Sequence, residues 1–216
     1  MTVQEAYEKY RITPALQLHQ LRAAGIARIL CEKHPGVKDK KSPVIACLFH
    51  DMGNIIKFDL AALPEFLEPQ GPAYWQNVKD EYTAKYGTDE HTATYAINRE
   101  IGVPSEVQNL IEAMGFSKAE AIAESGSVEL QILEYSDQRV APHGVASLEE
   151  RLADGHARYI MRKGKKHTDH EDVYKKNAAG IEKIERQLFV GLSIKPEDIN
   201  EEKVAPFFEE FRKYEI

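Results

Sequence analysis

Pro43-Val44-Ile45-Ala46-Cys47-Leu48-Phe49-His50-Asp51-Met52-Gly53 opens with the most apolar run of the chain, and that run ends on an ionisable pair. Burying His50 and Asp51 at the end of a hydrophobic segment is costly unless something charged compensates them, and a metal ion suits both side chains. Ser42-Pro43 is a helix start and Gly53 a helix stop, so the run reads as a helix that finishes on the pair.

The same punctuation recurs outward from this stretch. Thr13-Pro14, Thr88, Ser105, Ser127 and Ser147 read as N-caps, and Ser147-Leu148-Glu149-Glu150 forms a capping box. Gly36, Gly87, Gly102, Gly115 and Gly164 stand near the ends of the helical stretches. Helical periodicity dominates, with no convincing run of period-two alternation bounded by hairpin turns. The expected fold is all-α, a helical bundle around one central metal site. One domain covers residues 1–193, and 194–216 reads as a peripheral helical tail.

The 216 residues are 43% hydrophobic, enough for one sizeable core. A formal charge of −7, from 28 basic and 35 acidic residues, offers no overall basic surface for nucleic acid. Cys31 and Cys47 both sit in apolar helical sequence, which suits a reducing, cytoplasmic setting without a disulfide. The first ten residues lack the apolar core of a signal peptide, and no run approaches the roughly 20 apolar residues of a membrane span. No membrane association is expected.

Helical wheels at about 100° per residue sort the polar positions. In the Pro14 to Cys31 helix, Gln17, Gln20 and Arg28 fall on the polar arc, whereas His19 and Arg22 fall among Ile26, Ile29 and Leu30. In the Val128 to Val140 helix, Gln131, Glu134 and Gln138 point outward, while Asp137 lies between Leu130 and Leu133 and Arg139 between Val128 and Ile132. Taken singly, an inward histidine is usually a hydrogen-bonded core residue, and an inward aspartate is usually paired with an arginine. Taken together, His19, His50, Asp51 and Asp137 make one assembly: two imidazoles and two carboxylates around a divalent cation. Manganese, iron, cobalt, nickel, zinc or magnesium suits that set, which leaves positions for water and substrate.

His19, then His50-Asp51 some thirty residues later, then Asp137 on a later helix, resemble the H...HD...D pattern of the HD-domain metal-dependent phosphohydrolase superfamily. Ala46-Cys47-Leu48-Phe49-His50-Asp51-Met52-Gly53 is similar to the family's apolar run, HD pair and glycine, and Glu134 to Arg139 with Ser147 to Arg151 resembles its last ligand helix and the helix beyond. The resemblance covers roughly residues 14 to 160. It implies an all-α hydrolase whose metal activates a water for attack on the phosphorus of a small phosphate ester, a nucleotide or related metabolite. His19, His50, Asp51 and Asp137 are then the metal ligands, and Asp51 also orients the attacking water. Arg22 and Arg139 neutralise the phosphate, and His91 is a phosphate contact or proton donor near the metal.

Departures narrow the reading. Many members carry lysine, and some nucleotidases glutamate, three residues after the motif aspartate; Asn54 stands there, so a glutamate base is excluded. Two-metal members add two more histidines, of which only His91 has a counterpart, so one metal is expected. That gap also argues against a di-iron oxygenase, while a non-catalytic nucleotide-sensing domain remains the alternative. His34 reads as a solvated helix end, His143 as a surface turn, the basic run from Arg158 to His167 as a solvated loop, and Tyr74 and Trp75 as core packing. His167 and His170 complete no ligand pattern.

Overall fold

The computed structural model describes residues 1–61, 64–163 and 168–216, with the side chains of 159–170 outside the description. The chain runs through α1 (Val3–Lys9), α2 (Pro14–Lys33), α3 (Ser42–Phe49), α4 (Gly71–Tyr86), α5 (Glu90–Ile101), α6 (Ser105–Ala113), α7 (Ala119–Glu124) and α8 (Val128–Asp137). A two-stranded ribbon follows, β1 (Val140–Ala141) and β2 (Gly144–Val145), then α9 (Leu148–Lys163), α10 (Thr168–Phe189), α11 (Glu201–Val204) and α12 (Phe208–Arg212). The fold is all-α apart from that ribbon, in which Val140 pairs with Val145 and Ala141 with Gly144. Two residues per strand are too few to leave a period-two signature. Among the described residues no helix is long and apolar enough to cross a membrane.

Side-chain caps fix several of the helix starts, although Ser42 and Ser105, expected as starts, lie inside α3 and α6, whose N-cap positions are Lys41 and Pro104 without a side-chain cap. Thr13 accepts a hydrogen bond from the Leu16 amide at 3.2 Å with Pro14 behind it, and Ser127 does the same for Leu130. Ser147 and Glu150 close the expected capping box. The start at Thr88 moves one residue, because the Asp89 carboxylate takes the Thr92 amide at 2.7 Å.

α2 and α8 are the axis of the bundle. α3 and α8 pack on α2, and α6, α7 and α10 surround α8. Helices enclosed on several sides bury polar residues along with apolar ones, and this corrects both wheels. Gln20, Gln131, Glu134 and Gln138, expected on outward faces, are all buried. Gln131 satisfies itself on the carbonyls of Ile122 and Ala123 and on Gln187.

Residues 194–216 are not peripheral. Ile199, Val204 and Phe211 are buried, and the segment lies along α2. A Cβ on Gly25 would come within 2.6 Å of the Val204 side chain, so the missing side chain is what lets α11 sit against α2. The far end of the segment pairs with residues 1–3 through Val3 N–H to Tyr214 C=O at 3.0 Å. Each large apolar group so buried contributes about 1.5–3 kcal/mol. Cys31 and Cys47 are buried free thiols.

Candidate metal centre

α3 stops inside the protein, and that stop builds the site. The last carbonyls of a helix have no intrahelical partner, and buried ones need donors. Leu48 C=O receives the Tyr7 hydroxyl at 2.8 Å and Phe49 C=O the Asn98 amide at 3.1 Å. Cys47 C=O takes the third donor, the Nδ1–H of His50, at 2.8 Å. A carbonyl only accepts, so in the neutral ring this bond fixes the His50 tautomer and leaves the lone pair on Nε2.

The turn after α3 is held just as closely. Gln20 Oε1 accepts from the Asp51 amide at 3.4 Å, and Thr94 Oγ1 from the Gly53 amide at 2.8 Å. Gly53 has negative φ, so backbone freedom is not why glycine stands there. A Cβ would lie 2.3 Å from Glu90 C=O, and its absence lets the first turn of α5 press onto the turn.

His19 from α2, His50 and Asp51 from the end of α3, and Asp137 from the end of α8 meet between these helices. His19 Nε2 lies 3.0 Å from Asp137 Oδ1, 3.3 Å from His50 Nε2 and 3.6 Å from Asp51 Oδ2. His50 Nε2 lies 3.3 Å from Asp137 Oδ1 and 3.5 Å from Asp51 Oδ2. Donors sharing one cation at about 2.1 Å are separated by about 3.0 Å at right angles and about 3.4 Å at the tetrahedral angle, so the set suits one divalent ion. Among the described residues, the donor atoms of His19, His50 and Asp51 all lie within 4.8 Å of one another; Asp137 is outside that group and joins it through the two imidazoles, 3.0 and 3.3 Å from its Oδ1. The second oxygen of Asp137 is held by Gln138 Nε2 at 2.8 Å, which turns Oδ1 toward the imidazoles.

Burial alone would push the His50 pKa down, but Asp51 and then Asp137 raise it to about 9. Burial alone would raise Asp137, yet hydrogen bonds to His19 and His50 hold it well below the usual carboxylate range. One turn earlier on α8, Glu134 is pushed up to about 7, by burial first and then by the Asp137 charge. Its Oε2 accepts from the Gly115 amide at 2.6 Å, and its Oε1 is buried without a hydrogen-bond partner among the described residues.

Of the other three expected catalytic residues, the two arginines are already engaged. Arg139 is buried, but its guanidinium donates to the carbonyls of Ala146, Pro196 and Ile199 and to the Tyr135 hydroxyl. Those bonds correct its expected role: four of the five guanidinium donors are committed within the fold, so the group is a structural clamp rather than a phosphate ligand. Among the described residues, the His91 side chain has no polar contact beyond its own neighbour on α5. The buried face of α5 is Ala93, Thr94, Ile97 and Asn98, while the His91 side chain is 62% exposed, 3.8 Å from Glu90 and stacked on Tyr95. Arg22 lies one turn beyond His19, half-buried, with its Nε on Glu201.

His143 is exposed at the ribbon turn against Phe66, and Asn54 is buried. Trp75 is a packing residue whose indole donates to Leu67 C=O, whereas Tyr74 is exposed. Gly164 and His167 lie outside the described residues, as do the side chains of His170 and of the basic run beyond Arg158. A cavity of about 800 Å³ between residues 57–61, Pro64 and α4 carries Lys57 and Lys79, but none of the four donors lines it.

Tyr7, Gln20, Thr94, Asn98, Gln138 and Glu201 are the supporting residues that sequence reasoning missed. Thr94 and Asn98 left a trace, two polar residues one turn apart in an otherwise apolar face with Ala93, Ile97 and Ile101. Tyr7 and Glu201 left none, because their partners are 41 and 179 residues away in the chain.

Residues 17–154 match the family model of the HD domain, well over half of the chain. The chain belongs to the HD-domain metal-dependent phosphohydrolase superfamily. Comparison with curated proteins gave no match, and comparison with solved structures gave none.

Proposed function

We propose that this protein hydrolyses a small phosphate ester, a nucleotide or related metabolite, with one divalent cation held by His19, His50, Asp51 and Asp137. The observation that carries the reading is the convergence of two imidazole nitrogens and two carboxylate oxygens, with the His50 tautomer set by Cys47 C=O so that Nε2 is free to coordinate. A divalent cation bound there supplies a Lewis acid for the phosphate and a water of lowered pKa. Asp51 is the ligand that also orients the attacking water, because its amide is fixed by Gln20 and its carboxylate is partly open to solvent. Arg22, on the His19 face of α2, neutralises the phosphate and the charge that develops on it. Asp137, kept ionised by the imidazoles, stays a ligand across the neutral pH range. The buried free thiols support a reducing, cytoplasmic setting.

A panel of phosphomonoesters and phosphodiesters on metal-defined protein tests this reading. Phosphate release with manganese or cobalt, abolished by Asp51→Ala, is the expected outcome. No turnover with any metal, accompanied by nucleotide-dependent thermal stabilisation, would identify a sensing domain instead.

A further inference from the structure

Glu201 comes from the C-terminal segment, 64 residues beyond Asp137 in the sequence, yet it reaches the helix that carries His19. Both of its carboxylate oxygens accept from Arg22 Nε, at 2.9 and 3.0 Å, and Oε2 also accepts from the Val145 amide at 3.1 Å. Its seat is fixed on three sides. Gly25 admits Val204, which sets α11 on α2 one turn past Arg22. The ribbon, which begins three residues after Asp137, supplies the Val145 amide. A Cβ on Gly144, with φ of 152°, would stand 3.3 Å from Glu201 Oε2, so the carboxylate lies against bare backbone there.

Stability alone does not account for this construction. The Glu201 side chain is 42% exposed, and ion pairs that open to solvent contribute little. Direction is what the contact supplies. A guanidinium carries five N–H donors in a rigid plane, and the recorded bonds among the described residues use only the one on Nε. With Nε held toward the ribbon, the donors on the two terminal nitrogens stay uncommitted among the described residues, on a side chain one helical turn from His19.

We propose that Glu201 is a positioning residue that aims Arg22 at the phosphate group of the substrate. The inference rests on the phosphohydrolase reading and deepens it, because it makes the C-terminal segment part of phosphate recognition. The carboxylate acts through reach rather than through charge: an acceptor at that distance orients Arg22, and its negative charge only dilutes the attraction for an anion.

Binding of inorganic phosphate to the manganese-loaded full chain, followed by calorimetry, tests the proposal without turnover. Arg22→Ala and Glu201→Ala each weaken phosphate binding by about tenfold, the loss of one charge-assisted contact. The double variant is no weaker than Arg22→Ala, because Glu201 acts only through that side chain. Glu201→Gln, which keeps both reach and acceptor, binds phosphate like the wild type, whereas the shorter Glu201→Asp behaves like Glu201→Ala. The opposite order, with Asp tolerated and Gln weak, overturns the proposal, as do additive effects or a wild type that binds no phosphate. Failure of the ester panel with this binding pattern intact overturns the hydrolase reading and leaves the positioning role standing.

Discussion

Arg22 stands on α2 and Arg139 just past the C-cap of α8, and the same wheel reading assigns both to phosphate. Their surroundings separate them. Arg139 lies where β1 leaves α8, and three backbone carbonyls and a phenol take up its guanidinium. Arg22 lies beside His19, with one nitrogen committed and an acidic partner that is partly in solvent. An arginine pointing inward therefore says little about chemistry; what matters is how many of its donors the fold has already used.

The contrast breaks most easily at Arg139. Arg139→Ala leaves buried carbonyls without a donor and costs about 3–5 kcal/mol of stability, read from denaturant unfolding, while activity per folded molecule is retained. Arg22→Ala does the reverse: kcat/KM for whichever ester is hydrolysed falls on the order of 100-fold, about 2.7 kcal/mol, and stability changes by less than about 1 kcal/mol. If both variants lose stability alike and activity alike, the distinction is wrong.

Glu134 sharpens the comparison from between the two regions. Its carboxyl has an ordinary pKa of 4.5 and is pushed up to about 7 in the folded protein. Between those values the native state keeps a proton that the unfolded chain releases, so in metal-free protein its contribution to stability is full below about pH 4.5 and lost as pH rises through about 7. Glu134→Gln removes that loss. The variant matches wild type at pH 4 and exceeds it by on the order of 1 kcal/mol at pH 8 in thermal unfolding, and equal stability at both pH values would contradict the shift. The smallest effect belongs to His91→Ala. With the ring largely in solvent, stability changes by less than about 0.5 kcal/mol and kcat/KM stays within about twofold.

The parts of this structure legible in the sequence are those written locally. Thr13, Ser127 and Ser147 announce their helices because a cap acts over three residues, and His50-Asp51 stands out because an apolar run should not end on charge without a reason. His19 and Asp137 were found because each is ionisable among aliphatic neighbours. The wheels failed for Gln20, Glu134 and Gln138 because α2 and α8 are enclosed on several sides, so polarity no longer marks the outer face. The supports escaped because Tyr7, Thr94 and Asn98 act on the α3 terminus across 41 to 49 residues, and Glu201 on Arg22 across 179. No local pattern carries such contacts. The tail was misread for a related reason: one small residue in α2, Gly25, is what admits Val204 and binds the segment to the core.

The central claim is that four side chains from three helices form one metal site. Equilibrium dialysis of the metal-free protein against manganese tests it directly. One equivalent binds per chain and is lost in Asp137→Ala and in His50→Ala, while both variants remain helical by circular dichroism. Two equivalents per chain, or one equivalent that survives both substitutions, would contradict it.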